Sequence, residues 1–265
     1  MIANADSEGF QVGAAQYAAY LETPEGRLRI DLALANLQEL LPKATESLRA
    51  LDIGGGTGAL ATRLAQLGIR VTLLDPSQPM LELADRAAEE AGITERIELK
   101  CGDAAQIAKL FPAGSFDVIL CHNVLEFIDD PAAVLCDAAR AMRGPSAIIS
   151  VVVRSQPGEV LKAALQTGDL AAAETSLQAD WGEESLYGGK VRLFTAEGLQ
   201  AMLNEASLTI AAQRGVRVLA DYLPPRISRS AEYESIFALE RKLGKRPEFA
   251  AVGRYTQCLA RPIGA

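Results

Sequence analysis

Short apolar runs alternate with helical patterns along most of the chain from residue 48 onward. The apolar runs predict strands at roughly 48–53, 70–75, 96–101, 116–121 and 146–153. The patterns between them have the period of amphipathic helices and predict helices at 58–67, 78–91, 104–110 and 132–142. This alternation is typical of β-α-β units, so we expect an α/β fold with a doubly wound, mostly parallel sheet and its ligand at the carboxyl ends of the strands.

Both flanks of this core carry further elements. Before the first strand, "GRLRIDLALANLQELL" has apolar residues at mostly helical spacing and predicts an N-terminal helix over the strand ends. Towards the end, "TAEGLQAMLNEA" predicts a helix capped by Thr195, followed by a strand near 207–214, a helix at 231–243 and a last strand near 254–260. The two added strands bring the expected sheet to seven.

The alternation breaks at residues 155–194, where glycines interrupt any regular pattern. We therefore divide the chain into three parts. Residues 1–46 are predicted to be a helical segment that covers the ligand site, and residues 47–154 and 195–265 to form the α/β core. Residues 155–194 are interpreted as an inserted cap that binds the substrate.

The composition is that of one ordinary globular domain, with 265 residues, 49% hydrophobic and 23% charged. No apolar stretch approaches the roughly 18 residues that a membrane helix needs. The N-terminus lacks the basic start and apolar block of a signal peptide, so we expect a cytoplasmic protein with no membrane partner. The four cysteines form no C-x-x-C pair and His122 is the only histidine, so we expect neither a metal site nor a disulfide framework.

The net charge of −8 at pH 7 weighs against a nucleic-acid partner, since such proteins usually present a basic face to the phosphates. Arginines and lysines nevertheless cluster between Arg214 and Arg246, and a local patch can outweigh an acidic whole. RNA therefore stays open as a partner.

The stretch "LDIGGGTG" turns from a strand into a helix through a run of glycines. Such a turn lets the backbone approach a ligand and points free helix N–H groups at it, although it can also be a packing turn without a ligand. Gly54, Gly56 and Ala59 match the G-x-G-x-x-G/A fingerprint of dinucleotide sites. Written from Asp52 to Gly58, however, the same run gives D-x-G-x-G-x-G.

Two aspartates narrow the choice of ligand. Asp52 lies at a buried strand position, where a carboxylate is costly unless cations or hydrogen-bond donors satisfy it. It fits a ligand with an ammonium group or, alternatively, a local backbone cap. Asp75 ends the next strand, 19 residues after Gly56, where its two oxygens can accept from the hydroxyls of a ribose. Asp75 thus indicates an adenosine ligand of either kind, or else a carboxylate placed at a helix N-terminus.

Two later stretches complete the pattern. In "CGDAAQI", Asp103 ends the third strand, where its carboxylate can accept from an adenine amino group. In "FDVILCHNVLEFIDDP", an apolar strand runs directly into His122. Together with Asp52, Asp75 and the glycines, these landmarks make residues 48–153 resemble the class I methyltransferases. The resemblance implies a Rossmann-like methyltransferase fold with S-adenosylmethionine as the cofactor.

A closer resemblance extends over most of the chain outside the cap. The stretches "TPEGRLR", "LCHNVLEFIDDP", "RGVRVLADYLP", "YESIFALE" and "VGRYTQCLARP" are similar to those of the bacterial tRNA 5-carboxymethoxyuridine methyltransferases. This resemblance implies S-adenosylmethionine contacts from seven residues: Arg29, Gly54, Gly55, Asp75, Asp103, Ala104 and His122. The glycine fingerprint adds Asp52 and Gly56 to the predicted cofactor site. Arg29 would pair with the methionine carboxylate, although such a helix charge is otherwise solvated.

The cap departs from that family. It reads "AAAETSLQADWGEESLYGGKVRLF", acidic before it is basic, so a main source of affinity for phosphates is missing. We therefore predict an S-adenosylmethionine-dependent methyltransferase that modifies an O or N atom of a small molecule, with the carboxymethoxy group of a tRNA wobble uridine as the alternative acceptor. An NAD-dependent oxidoreductase and a catalytically silent adenosine-binding protein remain as interpretations of other classes.

The acceptor side is less clearly marked. Methyl transfer from a sulfonium needs mainly alignment and exclusion of water, and a carboxylate acceptor needs no base. A hydroxyl or amine acceptor needs proton removal; His122 is interpreted first as a cofactor contact or packing residue and second as that base. Candidates for the acceptor pocket are Tyr17, Tyr20, Trp181, Tyr187, Arg192, Arg217 and Tyr222. Glu126 and the Asp129-Asp130 pair are interpreted as charges at a helix entry.

Overall fold

The computed structural model describes residues 13–184, 188–223 and 233–264. The described strands are β1 (Arg49–Ile53), β2 (Arg70–Asp75), β3 (Ile97–Cys101), β4 (Val118–His122), β5 (Ile148–Arg154), β6 (Trp181–Glu183), β7 (Lys190–Arg192), β8 (Leu208–Val216) and β9 (Tyr255–Pro262). Seven of them form one sheet in the order β3-β2-β1-β4-β5-β9-β8, and β6 and β7 form a separate hairpin. Neighbours from β3 to β5 are parallel, whereas β9 is antiparallel to β5 and β8. The predicted seven-stranded, mostly parallel sheet is confirmed.

The strand order places the ligand crevice. β1 pairs with β2 on one side and with β4 on the other, so the direction in which strands are added reverses at this point. In open α/β sheets, such a reversal opens a crevice at the carboxyl ends of the two strands. β1, β2, β4 and β5 are buried along almost their whole length, because helices cover both faces of the sheet, and this explains their continuous apolar sequences.

The described helices are α1 (13–21), α2 (Pro24–Gln38), α3 (Ala59–Gln66), α4 (Gln78–Glu90), α5 (Ile107–Leu110), α6 (Pro131–Ala141), α7 (Gln156–Leu161), α8 (Leu170–Ser176), α9 (Ala196–Glu205), α10 (Tyr233–Leu243) and α11 (Pro247–Ala250). Asp130 and Thr195 cap α6 and α9 by accepting from backbone N–H groups of the first turn. The helix predicted at 104–110 begins instead as a 3-10 turn, Ala104–Gln106, and Asp103 and Gln106 form a capping box there. Among these helices, none has the length and apolar character needed to cross a membrane.

The N-terminal helix α2 lies against the sheet. Its buried residues Leu28 and Leu32 pack with Val152 of β5, Val216 of β8 and Tyr255 of β9. The bounds of α2, Pro24–Gln38, are close to those of the helix predicted from "GRLRIDLALANLQELL". This packing brings the first half of α2 next to the carboxyl end of β5.

Residues 155–194 form regular elements where the sequence predicts only an interrupted cap. α7 continues into a π-helical turn at Lys162–Thr167, and α8 and the β6–β7 hairpin follow. The two ends of the segment meet, because Ser155 forms a bridge with Phe194 directly after β5. The segment is thus anchored at the carboxyl edge of the sheet, above the crevice.

Candidate functional site

A cavity of about 400 Å³ opens at the carboxyl ends of β1, β4 and β5. We divide its lining by the elements that supply it. The glycine half comes from the N-terminal helices and from the loops after β1 to β4: Tyr17, Arg29, Gly54, Gly56, Asp75, Asp103, Ala104 and His122. The arginine half comes from the loop after β4, the ends of β5, β8 and β9, and the inserted segment: Glu126, Arg154, Lys162, Glu184, Arg217, Asp221, Arg254 and Tyr255.

The glycines after β1 are needed for both conformation and space. Gly54 and Gly56 have φ angles of 61° and 55°, in the left-handed region that favours glycine. A Cβ at Gly54 would lie 2.5 Å from Cγ2 of Val124. A Cβ at Gly56 would find its nearest neighbour, Cε1 of Tyr17, at 3.6 Å. Gly56 therefore presents bare backbone to the cavity.

Asp75 is buried at the end of β2. Its Oδ2 accepts from the N–H of Gly56 at 2.9 Å and its Oδ1 accepts from the N–H of Ser77 at 2.8 Å. Burial raises the pKa of Asp75, and these two hydrogen bonds lower it in part. Each oxygen retains acceptor capacity, so the carboxylate can receive two further donors from a ligand.

Arg29 reaches the cavity from α2 and is buried. It donates to Oη of Tyr17 at 2.7 Å and to Oδ1 of Asn123 at 3.0 Å, while its Nε has no hydrogen-bond partner among the described residues. Burial lowers the pKa of Arg29, but Tyr17, Tyr255 and Tyr20 raise it by more. A buried cation with an unused N–H suits an anionic ligand group such as a carboxylate.

Asp52 and Gly55 do not line the 400 Å³ cavity. They lie behind the glycine loop, on an adjoining cavity of about 30 Å³. A Cβ at Gly55 would meet Cγ of Leu73 at 2.5 Å and Oδ2 of Asp52 at 2.9 Å, so Gly55 packs down against the sheet. Burial, together with the charge of Asp75, raises the pKa of Asp52 to about 7.

His122 ends β4 and belongs to a chain of hydrogen bonds. Its Nε2 lies 2.7 Å from Oγ of Ser150, which accepts from Nε2 of Gln257 at 2.9 Å. Oε1 of Gln257 accepts in turn from Asn36 at 2.8 Å. Burial and the positive charge of Arg29 lower the pKa of His122 to about 3. The imidazole is therefore neutral at pH 7 and is a weak base.

Three buried arginines line the arginine half, and each is paired with a carboxylate. The pairs are Arg154 with Glu184 at 2.7 Å, Arg217 with Asp221, and Arg254 with Glu159. Lys162 adds a fourth cation, 3.6 Å from Glu159. Because the carboxylates hold the guanidiniums in fixed orientations, this half of the cavity is rigidly built.

Tyr255, the first residue of β9, lies among the guanidiniums. The Cζ atoms of Arg29, Arg217 and Arg254 lie 5.6, 5.8 and 6.0 Å from its ring centroid. Burial on its own raises the pKa of Tyr255, but these three arginines and Arg154 outweigh burial and lower the pKa to about 8. The potential around Tyr255 is therefore positive and favours a buried negative charge.

Glu126 joins the two halves. Its Oε1 accepts from Nδ2 of Asn123 at 2.9 Å and from the backbone N–H of Arg154 at 2.8 Å. Its Oε2 is buried and has no partner among the described residues.

Two residues that line the cavity have backbone angles in the left-handed region, where residues other than glycine are strained. They are Asn123, at φ 55°, and Arg217, at φ 58°. Such strain is concentrated at functional sites.

Comparison with known proteins indicates the kind of enzyme. Residues 51–149 match the protein family described as "Methyltransferase domain". The tRNA 5-carboxymethoxyuridine methyltransferase of Escherichia coli (strain K12) is 29% identical over 248 residues, which cover 90% of this chain and 90% of that protein. The chain is an S-adenosylmethionine-dependent methyltransferase.

Further relatives of the methyltransferase share less of its length or less of its sequence. The ubiquinone biosynthesis O-methyltransferase of Methylocella silvestris is 39% identical over 109 residues, 39% of each chain. The crystal structure of an S-adenosylmethionine-dependent methyltransferase from Thermotoga maritima has a TM-score of 0.64 at 17% identity, covers 96% and 98% of the two chains, and shows a common fold. These relatives give no support to an oxidoreductase.

Most of the predicted cofactor site of the methyltransferase comes together around one cavity. The predicted residues that line it are Arg29, Gly54, Gly56, Asp75, Asp103, Ala104 and His122. Among the acceptor-pocket candidates, Tyr17, Tyr20 and Arg217 line it as well. Trp181, Arg192 and Tyr222 do not; Trp181 is 46% exposed, with the guanidinium of Arg192 stacked 4.9 Å from its ring centroid. Tyr187 lies outside the described residues.

Much of the arginine half was not predicted from the sequence. Arg154 directly follows the predicted strand 146–153, and Arg254 and Tyr255 begin the predicted strand 254–260. Because β9 runs antiparallel to β5, its start and the end of β5 meet at one edge of the sheet. Polar residues at the ends of apolar strands were the available signal. The structure also places Glu126 in the cavity lining, beyond the helix-entry role predicted for it.

Proposed function

We propose that the glycine half of the cavity holds S-adenosylmethionine. Arg29 pairs with the methionine carboxylate, and Asp75 accepts from both ribose hydroxyls. The unpartnered Nε–H of buried Arg29 and the open face of Gly56 support this arrangement. No metal is part of the proposal.

The remaining predicted residues have subsidiary places in this proposal. Asp103 and Ala104 adjoin the adenine, and His122 adjoins the methionine end. Asp52 and Gly55 act from behind the loop, because the packing of Gly55 onto Leu73 and Asp52 sets the shape of the backbone that faces the cavity.

We further propose that the methyl acceptor is a carboxylate, the carboxymethoxy group of a tRNA uridine. The observation that carries this proposal is the convergence of three guanidiniums on the buried ring of Tyr255. These guanidiniums lower the pKa of Tyr255, and groups that favour a buried phenolate also favour a carboxylate. The relative named for tRNA 5-carboxymethoxyuridine, which is similar over nine tenths of both chains, supports the same acceptor. We prefer this acceptor to the small molecule that the acidic cap suggested.

A carboxylate acceptor also fits the weak basicity of His122. When bound, S-adenosylmethionine supplies a methyl group on a sulfonium, from which a neutral thioether departs as a good leaving group. An acceptor oxygen bonds to the methyl carbon as the carbon–sulfur bond breaks, the electron pair stays on sulfur, and no proton moves. The residues of the chain then contribute alignment, through the fixed guanidiniums, and exclusion of water.

The test is methyl transfer from S-adenosylmethionine labelled in its methyl group. Three acceptors are compared: tRNA containing 5-carboxymethoxyuridine, the free nucleoside, and a catechol that offers a hydroxyl. We expect label in the tRNA that mild alkali releases as methanol, because an ester hydrolyses where an ether or an N-methyl group does not. Transfer to the catechol alone, or an alkali-stable product, would contradict the proposal.

A hydroxyl acceptor on a small molecule is the competing function. It is favoured by the similarity to ubiquinone biosynthesis O-methyltransferases and by Tyr255, whose phenolate would serve as a base near neutral pH. Binding of bulk tRNA at low and at moderate salt separates the two, since contacts to phosphates weaken as salt rises. Without any salt-dependent binding, the tRNA acceptor is ruled out.

A further inference from the structure

Glu126 carries an unused acceptor in the wall of the cavity. The residue is 3% exposed, and its Oε2 has no hydrogen-bond partner among the described residues. Its other oxygen already accepts two hydrogen bonds, from Asn123 and from the backbone of Arg154. Leaving a buried carboxylate oxygen without a donor is costly, so the site fits a ligand that brings an N–H or O–H group to it.

The hydrogen bonds of Glu126 place it on the acceptor side. The N–H that it accepts belongs to Arg154, the last residue of β5 and a member of the arginine half. On the glycine side, Asn123 stands between Glu126 and Arg29, because its two side-chain atoms bond one each. The nearest cavity wall beyond Glu126 is therefore the part that we assign to the acceptor.

Burial raises the pKa of Glu126, and the hydrogen bonds from Asn123 and Arg154 lower it in part. The charge of its ionised form also restricts what Glu126 can bind. A carboxylate repels the carboxylate that is to be methylated, so the partner of Oε2 is a different part of the acceptor, and it must be a donor. The uracil ring of the proposed acceptor offers one such donor, the imide N3–H.

We propose that Glu126 is a specificity-determining residue that accepts a hydrogen bond from the imide N–H of the acceptor's uracil ring through Oε2. This inference rests on the proposed function. The guanidiniums of the arginine half bind the carboxylate of the acceptor, and Glu126 binds the N–H on the edge of its uracil ring. The methyltransferase thereby distinguishes a carboxylate on a uracil from the same carboxylate on a ring without the N–H.

The test compares two anticodon stem-loops, one with 5-carboxymethoxyuridine and one with its N3-methyl derivative, on wild type and on Glu126→Gln. The substitution keeps an oxygen for Asn123 and Arg154 and turns the acceptor without a partner into a donor. Asp129→Asn is the matched control, because Asp129 is an exposed acid three residues further on. Binding of S-adenosylhomocysteine and thermal unfolding are measured on all three proteins.

For wild type we expect kcat/KM to be about 10- to 100-fold lower on the N3-methyl stem-loop, as for a site that loses a buried hydrogen bond. Glu126→Gln should lose a similar factor on the natural stem-loop and discriminate little between the two, while Asp129→Asn behaves as wild type. Affinity for S-adenosylhomocysteine should stay within about twofold across the set, since no cofactor contact changes.

Three results would overturn the inference. Equal rates of wild type on both stem-loops would show that the N–H is not read, with the carboxylate acceptor left standing. Weaker binding of S-adenosylhomocysteine by Glu126→Gln, with unchanged unfolding, would assign Oε2 to the cofactor ammonium instead. Transfer to neither stem-loop, alongside transfer to another acceptor, would remove the proposed function and this inference together.

Discussion

The two halves of the cavity are built in different ways. The glycine half is made largely of backbone and of side chains at the ends of consecutive strands, as in Gly54, Gly56 and Asp75. The arginine half is made of long side chains from strands far apart in sequence, such as Arg154 and Arg254, held by carboxylates. The first is a conformation of one loop, whereas the second is a convergence of several elements.

This difference determines how far each half of the cavity can be recognised from the sequence. A backbone loop that needs φ angles of 61° and 55° restricts its sequence to glycine and so leaves a recognisable motif. An arginine at a strand end leaves no motif, since its role depends on which strand lies beside it. The glycine half therefore leaves a local motif in the sequence, whereas the arginine half is recognised only from the fold.

The largest expected effect concerns the glycine half. Asp75→Ala should weaken binding of S-adenosylhomocysteine by about 100-fold or more, because two hydrogen bonds to an ionised group, each worth about 1.5–3 kcal/mol, are lost. Calorimetry measures the affinity, and Asp85→Ala on the exposed face of α4 is the control. Thermal unfolding should show a loss of stability that is smaller, in free energy, than the loss of binding. This loss arises because the two backbone N–H groups that donate to Asp75 lose their acceptor. Undiminished binding would show that the ribose assignment is wrong.

The strands and helices of the core were predictable because buried parallel strands are short, apolar and separated by amphipathic helices. β2, for example, coincides with the predicted 70–75. The elements inside the inserted segment were not predicted, because they are short: α8 has 7 residues, and β6 and β7 have 3 each. Such pieces form through tertiary contacts, here the anchoring of Ser155 to Phe194, and carry little periodicity of their own.

Some residues of the candidate site were likewise predictable from the sequence, and others were not. Asp75 and Asp103 follow strands that the pattern marks, so their position at the crevice follows from the order of elements. Tyr255 gains its significance from three guanidiniums that approach its ring from α2, from the residue after β8 and from the residue before β9. No spacing in the sequence indicates that approach. The protonation of His122 was also beyond the sequence, because burial and Arg29 determine it.

The next effect tests the arginine half. Arg217→Gln should lower kcat/KM for the carboxylate acceptor by about 10- to 100-fold, since a charged donor is lost and Asp221 keeps only the more distant Arg254, at 3.9 Å. Affinity for S-adenosylhomocysteine should change by less than about twofold if the halves are independent. A parallel loss of both would mean that the division into two halves is wrong.

Arg214→Gln supplies the matched control for that experiment. Arg214 lies three residues earlier on β8, pairs with Glu39 at 3.7 Å and does not line the cavity. Removing this charge changes the net charge of the protein by the same amount. If Arg214→Gln lowers acceptor kcat/KM as much as Arg217→Gln does, the effect is one of overall charge.

The smallest expected effect separates a carboxylate acceptor from a hydroxyl acceptor most clearly. Tyr255→Phe removes the phenol but leaves the guanidiniums. With a carboxylate acceptor, which needs no base, kcat should stay within about threefold of wild type, whereas loss of a general base costs about 100-fold or more. A large loss would therefore favour the hydroxyl acceptor and contradict the carboxylate.

The same variant tests the positive potential directly through stability. The folded pKa of Tyr255 is about 8, below the usual value of 10.0, so between these pH values the unfolded chain binds a proton that the folded chain does not. The stabilisation from Tyr255 is thus fully present above pH 10, and it is lost as the pH falls towards 8. Urea unfolding of wild type and Tyr255→Phe at several pH values in this window should show their difference in unfolding free energy shifting in favour of wild type as the pH rises. If that difference stays constant, the arginines do not favour a buried anion at Tyr255, and the carboxylate acceptor loses the observation that carries it.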